Sequence, residues 1–468
     1  MSRLLSRLMT RALMGMLIST VAVAQPVQDT TTHFQYDLAG NLTEVKDSLG
    51  HATTYKYDAL MRRWSATDAK AGETLFAYDG LDQLTQVTDA RKVVTTYNVD
   101  GLGNLNLSTS GDTGATASTY DEAGNLATRT DAKLQRTTYQ YDVLGRIELI
   151  TYHDNSTVAY VYDQGANGVG RLTQVTDASG TIQYGFDSLG RMANEKRTIG
   201  GAIYTTVYHY DGAGRPSGIT YPSGRVINYV RDTAGRVSQV TTTRGTTTTT
   251  LVSNVSYQPF GPVNTVTFGN GRTHSRGYDL DGRVASFSLA AKTMSVKFDA
   301  ASRIKEISEE ANVANGHTFG YDELDRLTNV GTTNSAQVYE YDAVGNRTKK
   351  VNNSAITSYT YGTTNNRLTH VGALPIAMDE NGSIKDKGNA TFNYDARGRM
   401  VSANTAIGLV TYTINSLGQR VRKVTPTAST VFHYDMAGKL IAESTTSGTT
   451  TQTQEYVYLG DMPVAVLK

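Results

Sequence analysis

No cysteine occurs in the 468 residues, so no disulfide can brace the fold and no lipidated N-terminal Cys is possible. Tryptophan is nearly absent as well, with Trp64 alone against 29 tyrosines. No stretch after residue 24 is apolar enough to cross a bilayer as a helix, which needs roughly 18 or more such residues. Charge of either sign is not in excess: 44 basic and 43 acidic residues leave a formal net charge of +1. Nothing in that balance favours nucleic acid or an anionic membrane as partner. In the early repeats Asp and Gly breaks come about every ten residues, which leaves little room for a helix between turns. Nor do aliphatic residues fill nearly every second position, as a tightly packed β-solenoid would demand.

What fills the chain instead is one phrase, cleanest at Tyr139 to Ile147, Tyr-Gln-Tyr-Asp-Val-Leu-Gly-Arg-Ile. Tyr139 and Tyr141 alternate into a corner, Asp142 and Gly145 make it, and Arg146 with Ile147 leads out. Asp142 can accept hydrogen bonds from the backbone N–H groups ahead of it, and Gly145 can take a positive φ that a side chain resists. Tyr141, Asp142 and Gly145 are therefore the structural residues of a β-hairpin turn.

Twelve Tyr-Asp and two Phe-Asp pairs carry this phrase along the chain, mostly in steps of 20 or 21 residues. A fixed period of that size marks a repeat architecture, which each unit's contacts with its neighbours can stabilise without one large core. Asp47, Asp68, Asp89 and Asp131 each follow a Tyr-Asp aspartate by ten residues, giving a second turn per repeat. About six residues remain between turns, the length of a short strand. The spacing predicts an all-β chain of about 20 tandem hairpins of roughly 21 residues, spanning 25–468. Tyr and Thr suit such strands, and Tyr tolerates a wet face. The lean composition favours a curved or spiralling sheet around a space, a hollow β-shell that is complete or incomplete.

Residues 1–24 read as a cleavable export signal. Arg3, Arg7 and Arg11 precede an apolar run from 12 to 24 that ends Ala-Val-Ala, predicting cleavage after Ala24 and a secreted, periplasmic or cell-surface protein. Residues 241–250, all Thr except Arg244 and Gly245, read as a mobile loop. Apolar pairs three apart recur, as in Leu84 and Val87, Ile147 and Ile150, Leu172 and Val175, Leu327 and Val330. In a strand such a pair falls on opposite faces unless a bulge intervenes.

Chemistry is harder to find. Asp279-Leu-Asp-Gly and Asp379-Glu-Asn-Gly invite a calcium reading, but neither continues to the late bidentate acid of an EF-hand. His209 and His433 stand two residues before a turn Asp, a spacing that places both side chains on one strand face, with no third group identifiable. Nucleophile elbows, His-Glu-x-x-His and phosphate-binding loops are absent. The expectation is no catalytic residue, no metal, no cofactor and no enzymatic activity.

The Tyr-Asp-x-x-Gly-Arg-Leu phrase and its period resemble the YD repeats of the Rhs family, found also in the shells of insecticidal Tc toxins and in teneurins. The resemblance covers about residues 33 to 468. It is most marked in Thr-Tyr-Gly-Thr-Thr-Asn-Asn-Arg-Leu from Thr360, Phe-Asn-Tyr-Asp-Ala-Arg-Gly-Arg-Met from Phe392 and the ending Glu455 to Leu467. It implies a hollow shell that encloses a C-terminal toxin, or in teneurins a shell used in cell-surface adhesion. The family's Asp-Pro-x-Gly motif, linked to self-cleavage, is absent and the chain stops at Lys468. The expectation is an exported Rhs-type scaffold of a polymorphic toxin-delivery system, without its own toxin and without self-cleavage. Its partner is then a toxin or other protein cargo; the alternative is an adhesion or carbohydrate-binding protein whose partner is a cell-surface protein or glycan.

Overall fold

A computed structural model describes residues 31–468 apart from Phe260, and the expected leader at 1–24 lies outside the described residues. Forty-two strands follow one another from β1 (His33–Tyr36) to β42 (Met462–Leu467), and among the described residues there is no helix. Each strand pairs antiparallel with its predecessor and its successor, as the first, middle and last ladders illustrate. No ladder joins β1 to β42, so the sheet is an open meander. The turns at its two edges are of two kinds. One edge carries the Tyr-Asp turns, and the opposite edge carries the second turn of each repeat.

Strand β11 (Arg136–Tyr141) and strand β12 (Ile147–Thr151) show how the phrase builds a hairpin. Tyr141 opposes Ile147 and Tyr139 opposes Ile150, with a register shift that leaves Glu148 as an extra residue. Residues directly opposed across a ladder share a face. The bulge therefore puts Ile147 and Ile150 on the face of the two tyrosines. Leu84 and Val87 stand likewise opposite Tyr78 and Phe76, Leu172 and Val175 opposite Tyr162 and Tyr160, and Leu327 and Val330 opposite Tyr321 and Phe319. A spacing of three is the sequence mark of one bulge per hairpin.

Two ladders then tie hairpin to hairpin. The Tyr141 hydroxyl donates to the Leu126 carbonyl at 2.9 Å, one repeat back. Tyr57, Tyr78, Tyr162 and Tyr278 donate to Leu42, Arg63, Ile147 and Val263 in the same way. Each such bond contributes about 0.5–1.5 kcal/mol, without any need for a filled core. The second ladder is ionic. Arg146 bonds Asp142 of its own turn at 2.6 Å and Asp163 of the next at 2.7 Å, and its guanidinium carbon lies 4.3 Å from the Tyr162 ring centroid. Arg62 over Tyr78, Arg191 over Tyr210 and Arg326 over Tyr341 repeat the stacking. These two ladders account for the Tyr, the Asp and the Arg of the phrase.

Distant contacts show how the meander curves. Ser48 meets Ala300 across 252 residues, Lys70 meets Glu323 across 253, and Asn381 meets Asp131 across 250. Both partners advance together, whereas a sheet folded back on itself would move them in opposite senses. The chain is thus a spiral whose second coil lies along the first. Contact is made edge to edge, with the turns at 47–51 and 131–135, on the opposite edge of the first coil, meeting the Tyr-Asp turns at 299–303 and 379–383 of the second. The separation falls to 220 at Arg397 and Asp177 and to 186 at Arg276 and Met462, so the spiral tightens.

Where it tightens, the second coil slides over the face of the first and a core appears. Ile219, Ile227, Val240 and Val252, from strands between β17 (Ala202–Tyr210) and β22 (Val263–Phe268), pack with Ile441 of β40 (Leu440–Ser447) and with Val457 and Leu459 of β41 (Thr450–Leu459). Earlier in the chain, before Val158, Val93 is the only buried apolar residue among those described.

Residues 241–250, expected as a mobile loop, are instead the closing end of a hairpin. Strand β20 (Val237–Arg244) pairs with β21 (Thr247–Tyr257) through Thr241 with Thr250, Thr242 with Thr249 and Thr243 with Thr248. The hydroxyls of Thr243 and Thr248 are 2.9 Å apart. Threonine is β-branched and favours strands, and paired hydroxyls add to that preference. Low complexity was the misleading signal.

Candidate functional site

At the founding turn, the Asp142 carboxylate accepts from the backbone N–H groups of Leu144 and Arg146 at 2.9 Å, and Gly145 takes a φ of +75°. Burial opposes the ionised form, but the Arg146 backbone N–H and guanidinium hold the Asp142 carboxyl below its ordinary value. The Tyr141 hydroxyl is spent on the Leu126 carbonyl. All three residues serve the turn and the ladder, and none presents a free group to a substrate.

The paired histidines are not brought together with their aspartates. His209 contacts the Thr220 hydroxyl at 2.8 Å, while Asp211 is held by Arg215. His433 is buried and packs at a tilt against Tyr204 with centroids 4.4 Å apart, while Asp435 accepts from the Ala437 and Lys439 backbones. Burial, together with the nearby Arg197 charge, pushes the His433 imidazole down to about 4. The calcium-like stretches are engaged by cations of the chain: Asp279 and Asp281 by Arg283, and Asp379 by Lys133 at 3.4 Å. Among the described residues the one trio of metal-capable side chains is Asp47, His51 and Asp325. His51 hydrogen-bonds Asp47 at 2.9 Å and Arg303 pairs with Asp325 at 2.7 Å, so both carboxylates are already engaged within the chain.

The seam between the coils is crossed by charged residues that themselves sit in turns, the turn aspartate Asp342 among them. Lys70 with Glu323, Arg91 with Asp342 and Arg397 with Asp177 span it as ion pairs. Two pairs are buried: Glu195 with Arg197, whose guanidinium also reaches Gln419 at 2.7 Å, and Arg225 with Glu455. Burying such charges is costly unless each is paired and hydrogen-bonded, and here they are. Between the coils opens a polar cavity of about 470 Å³, lined by Arg129, Lys133, Tyr139, Tyr152, Tyr394 and Arg397 among others. Sequence reasoning missed every one of these seam residues. Glu195 and Arg197, alternating in β16 (Met192–Ile199), carried a local signal, because charges at i and i+2 of a strand share a face. Their long-range partners carried none.

The seam, an edge-to-edge junction with buried ion pairs and a polar cavity, is the feature of this chain with functional content. The family model for the teneurin YD-shell matches residues 166–258 and 288–459, more than half of the chain. The RHS repeat model matches residues 36–74 and 120–159. The chain is 26% identical over 266 residues to double-stranded DNA deaminase toxin A of Burkholderia cenocepacia, an alignment covering 54% of this chain and 18% of that protein. It is 28% identical over 176 residues to teneurin-4 of Mus musculus, covering 31% and 6%. Among solved structures, TcdB2-TccC3 without its hypervariable C-terminal region superposes with a TM-score of 0.77 at 16% identity, covering 91% of this chain and 27% of the other. The Photorhabdus luminescens Tc holotoxin pore gives 0.76 at the same identity and coverage. The chain thus spans a small part of each relative, and the structural likeness is one of fold.

Proposed function

Since the chain belongs to the teneurin YD-shell family, we propose that it is an exported wall-forming protein of a toxin-delivery system, which encloses a toxin or other protein cargo. The observation that carries this reading is the seam: consecutive coils of one sheet are tied edge to edge, so the repeats form a continuous wall and not a string of separate hairpins. The similarity to a deaminase toxin and to Tc toxin assemblies supports an enclosing role. Under this reading the chain is a scaffold without catalysis of its own, and it leaves the cytoplasm after cleavage behind Ala24. A second reading, recognition of a cell-surface protein or glycan, draws on the teneurin similarity and on the tyrosine-lined cavity.

One experiment separates them. An unstructured reporter peptide fused after Lys468 is exposed to protease beside the same peptide alone. Enclosure predicts that the fused reporter outlasts the free one, in protein recovered outside the cytoplasm and beginning at Gln25. Equal cleavage of the two, with binding to a glycan array, would replace enclosure by adhesion.

A further inference from the structure

Among the described residues the spiral leaves two edges unjoined. Within the chain, Tyr-Asp turns of the second coil sit on the opposite edge of the first. What remains open is the Tyr-Asp edge of the first coil at one end and the opposite edge of the second coil at the other. These are the two kinds of edge that already join each other at the seam.

The same turn position shows what joining does. Two residues after the turn aspartate, the first coil has Leu60, Leu81, Leu102 and Leu144, which are between 65% and 90% exposed. In the second coil that position holds Leu324 and Val344, both partly covered, and Leu417, which at 48% exposure is still less open than the first-coil leucines. All lie in turns of the same hydrogen-bonded pattern, as Asp79 and Asp322 illustrate. An exposed tip is not itself the signal, because Leu134 on the joined edge is open too. The signal is that a Tyr-Asp tip becomes covered where a coil lies against it. Leu38, Val143 and Leu280 extend the apolar row on the open edge. Leu289 and Ile356, in strands beside their turns, and Ile407, in a turn, are exposed on the second coil's open edge. The open edges thus offer apolar tips to each other, where the internal seam also uses ion pairs such as Lys70 with Glu323 and Arg91 with Asp342.

We propose that the chain associates head to tail with a second copy, the open Tyr-Asp edge of one copy's first coil seated on the open edge of the other's second coil. The screw that carries the first coil onto the second, applied once more, carries the second onto the next copy. Such a contact is heterologous and does not close, so copies add in a row. It covers the exposed apolar tips of both edges.

Sedimentation velocity over a concentration series tests this on the chain from Gln25. The expected result is a weight-average mass that rises with concentration. Leu60→Asp, Leu81→Asp and Leu102→Asp together should weaken association by more than about tenfold, and so should Leu289→Asp, Ile356→Asp and Ile407→Asp together. An equimolar mixture of these two variants retains one intact edge of each kind, so it should form a dimer and stop there. Serine replacements at the same positions, with an unchanged far-ultraviolet dichroism spectrum, guard against misfolding. A wild type that stays monomeric at every concentration would overturn the proposal. So would variants that associate like wild type, or a mixture that stays monomeric. Wild-type monomers that instead co-sediment with phosphatidylcholine–phosphatidylglycerol vesicles would overturn it in favour of a lipid surface.

Discussion

The early strands and the last ones are built from the same phrase, yet they are stabilised differently. From β1 to β12 the wall is a single layer held by turn carboxylates, tyrosine–carbonyl bonds and arginine stacks, with Val93 its only buried apolar side chain. From β40 to β42 the same kind of hairpin lies on a second layer, and Ile441 and Val457 are buried to 1% and 0% exposure. A repeat of this design therefore needs no core to keep its shape, because the ladders supply local order. It needs a second coil to acquire resistance to unfolding. Stability should be graded along the chain, as in other repeat arrays where each unit leans on its neighbours.

The sharpest way to break this contrast is to leave a charge unpaired in the two-layer region. Arg225→Met strands the buried Glu455, and losing one partner of a buried pair costs about 3–5 kcal/mol. Arg146→Met in the single layer removes a partly buried pair, but Asp142 keeps its two backbone N–H donors, so the denaturant midpoint should fall less. Hydrogen exchange is the suitable measurement, since a long array need not unfold in one step. The Arg225 variant should lose protection in peptides around both 219–227 and 455–459, and adding Glu455→Leu should restore much of it. Equal losses at both sites would mean that the two regions are not differently built.

A smaller effect comes from acid. The His433 imidazole is pushed down to about 4 from an ordinary 6.5, so between those values the unfolded chain binds a proton that the folded chain refuses. Its contribution is present above about pH 6.5 and is lost as the pH falls toward 4, on the order of 3 kcal/mol in all. The turn aspartates behave in the same direction but lower: carboxyls such as Asp142, held below their ordinary value, lose their contribution only as the pH falls below about 4. Acidification from pH 7 to 5 should therefore loosen the two-layer region around His433 and leave the single layer unchanged. His433→Leu should flatten that pH dependence, as read by exchange in the 429–434 strand.

How much of this was legible follows the same division. Hairpins, their period and the turn made by Asp142 and Gly145 depend on residues within a few positions of one another, and the sequence displays such relations openly; the Tyr141 hydroxyl's bond to Leu126, 15 residues back, was not among them. The bulge was half legible: the spacing of Ile147 and Ile150 posed the question, and only the pairing with Tyr141 and Tyr139 answered it. The seam was not legible. Arg225 and Glu455 are separated by 230 residues, and which repeat lies against which depends on the curvature accumulated over a whole coil. The threonine run failed for another reason, since composition was given more weight than the strand preference of its residues.

The smallest effect concerns the corner itself, where Gly145 is expected to take a positive φ that a side chain resists. Several turns dispense with glycine. Met61, Asp82 and Leu134 occupy the glycine position at φ values of 62°, 64° and 61°, while Gly145 sits at 75° and Gly103 at 87°. A non-glycine residue in this left-handed region costs about 1 kcal/mol or somewhat more, and the surrounding carboxylate bonds evidently outweigh it. A Cβ built at Gly145 would meet nothing nearer than the Asn125 side-chain oxygen at 4.0 Å, so strain is the only penalty there. Gly145→Ala should then destabilise by about 1 kcal/mol, and Met61→Gly should stabilise its turn by a similar amount. Both sites lie in the single layer, where each turn is held by its own bonds, so the two changes should add when combined. Midpoints in urea, compared with exchange at 58–62 and 142–146, would show it. A Met61→Gly variant less stable than the parent would mean that the exposed methionine does more than tolerate its strain, and that the open edge is already in use in solution.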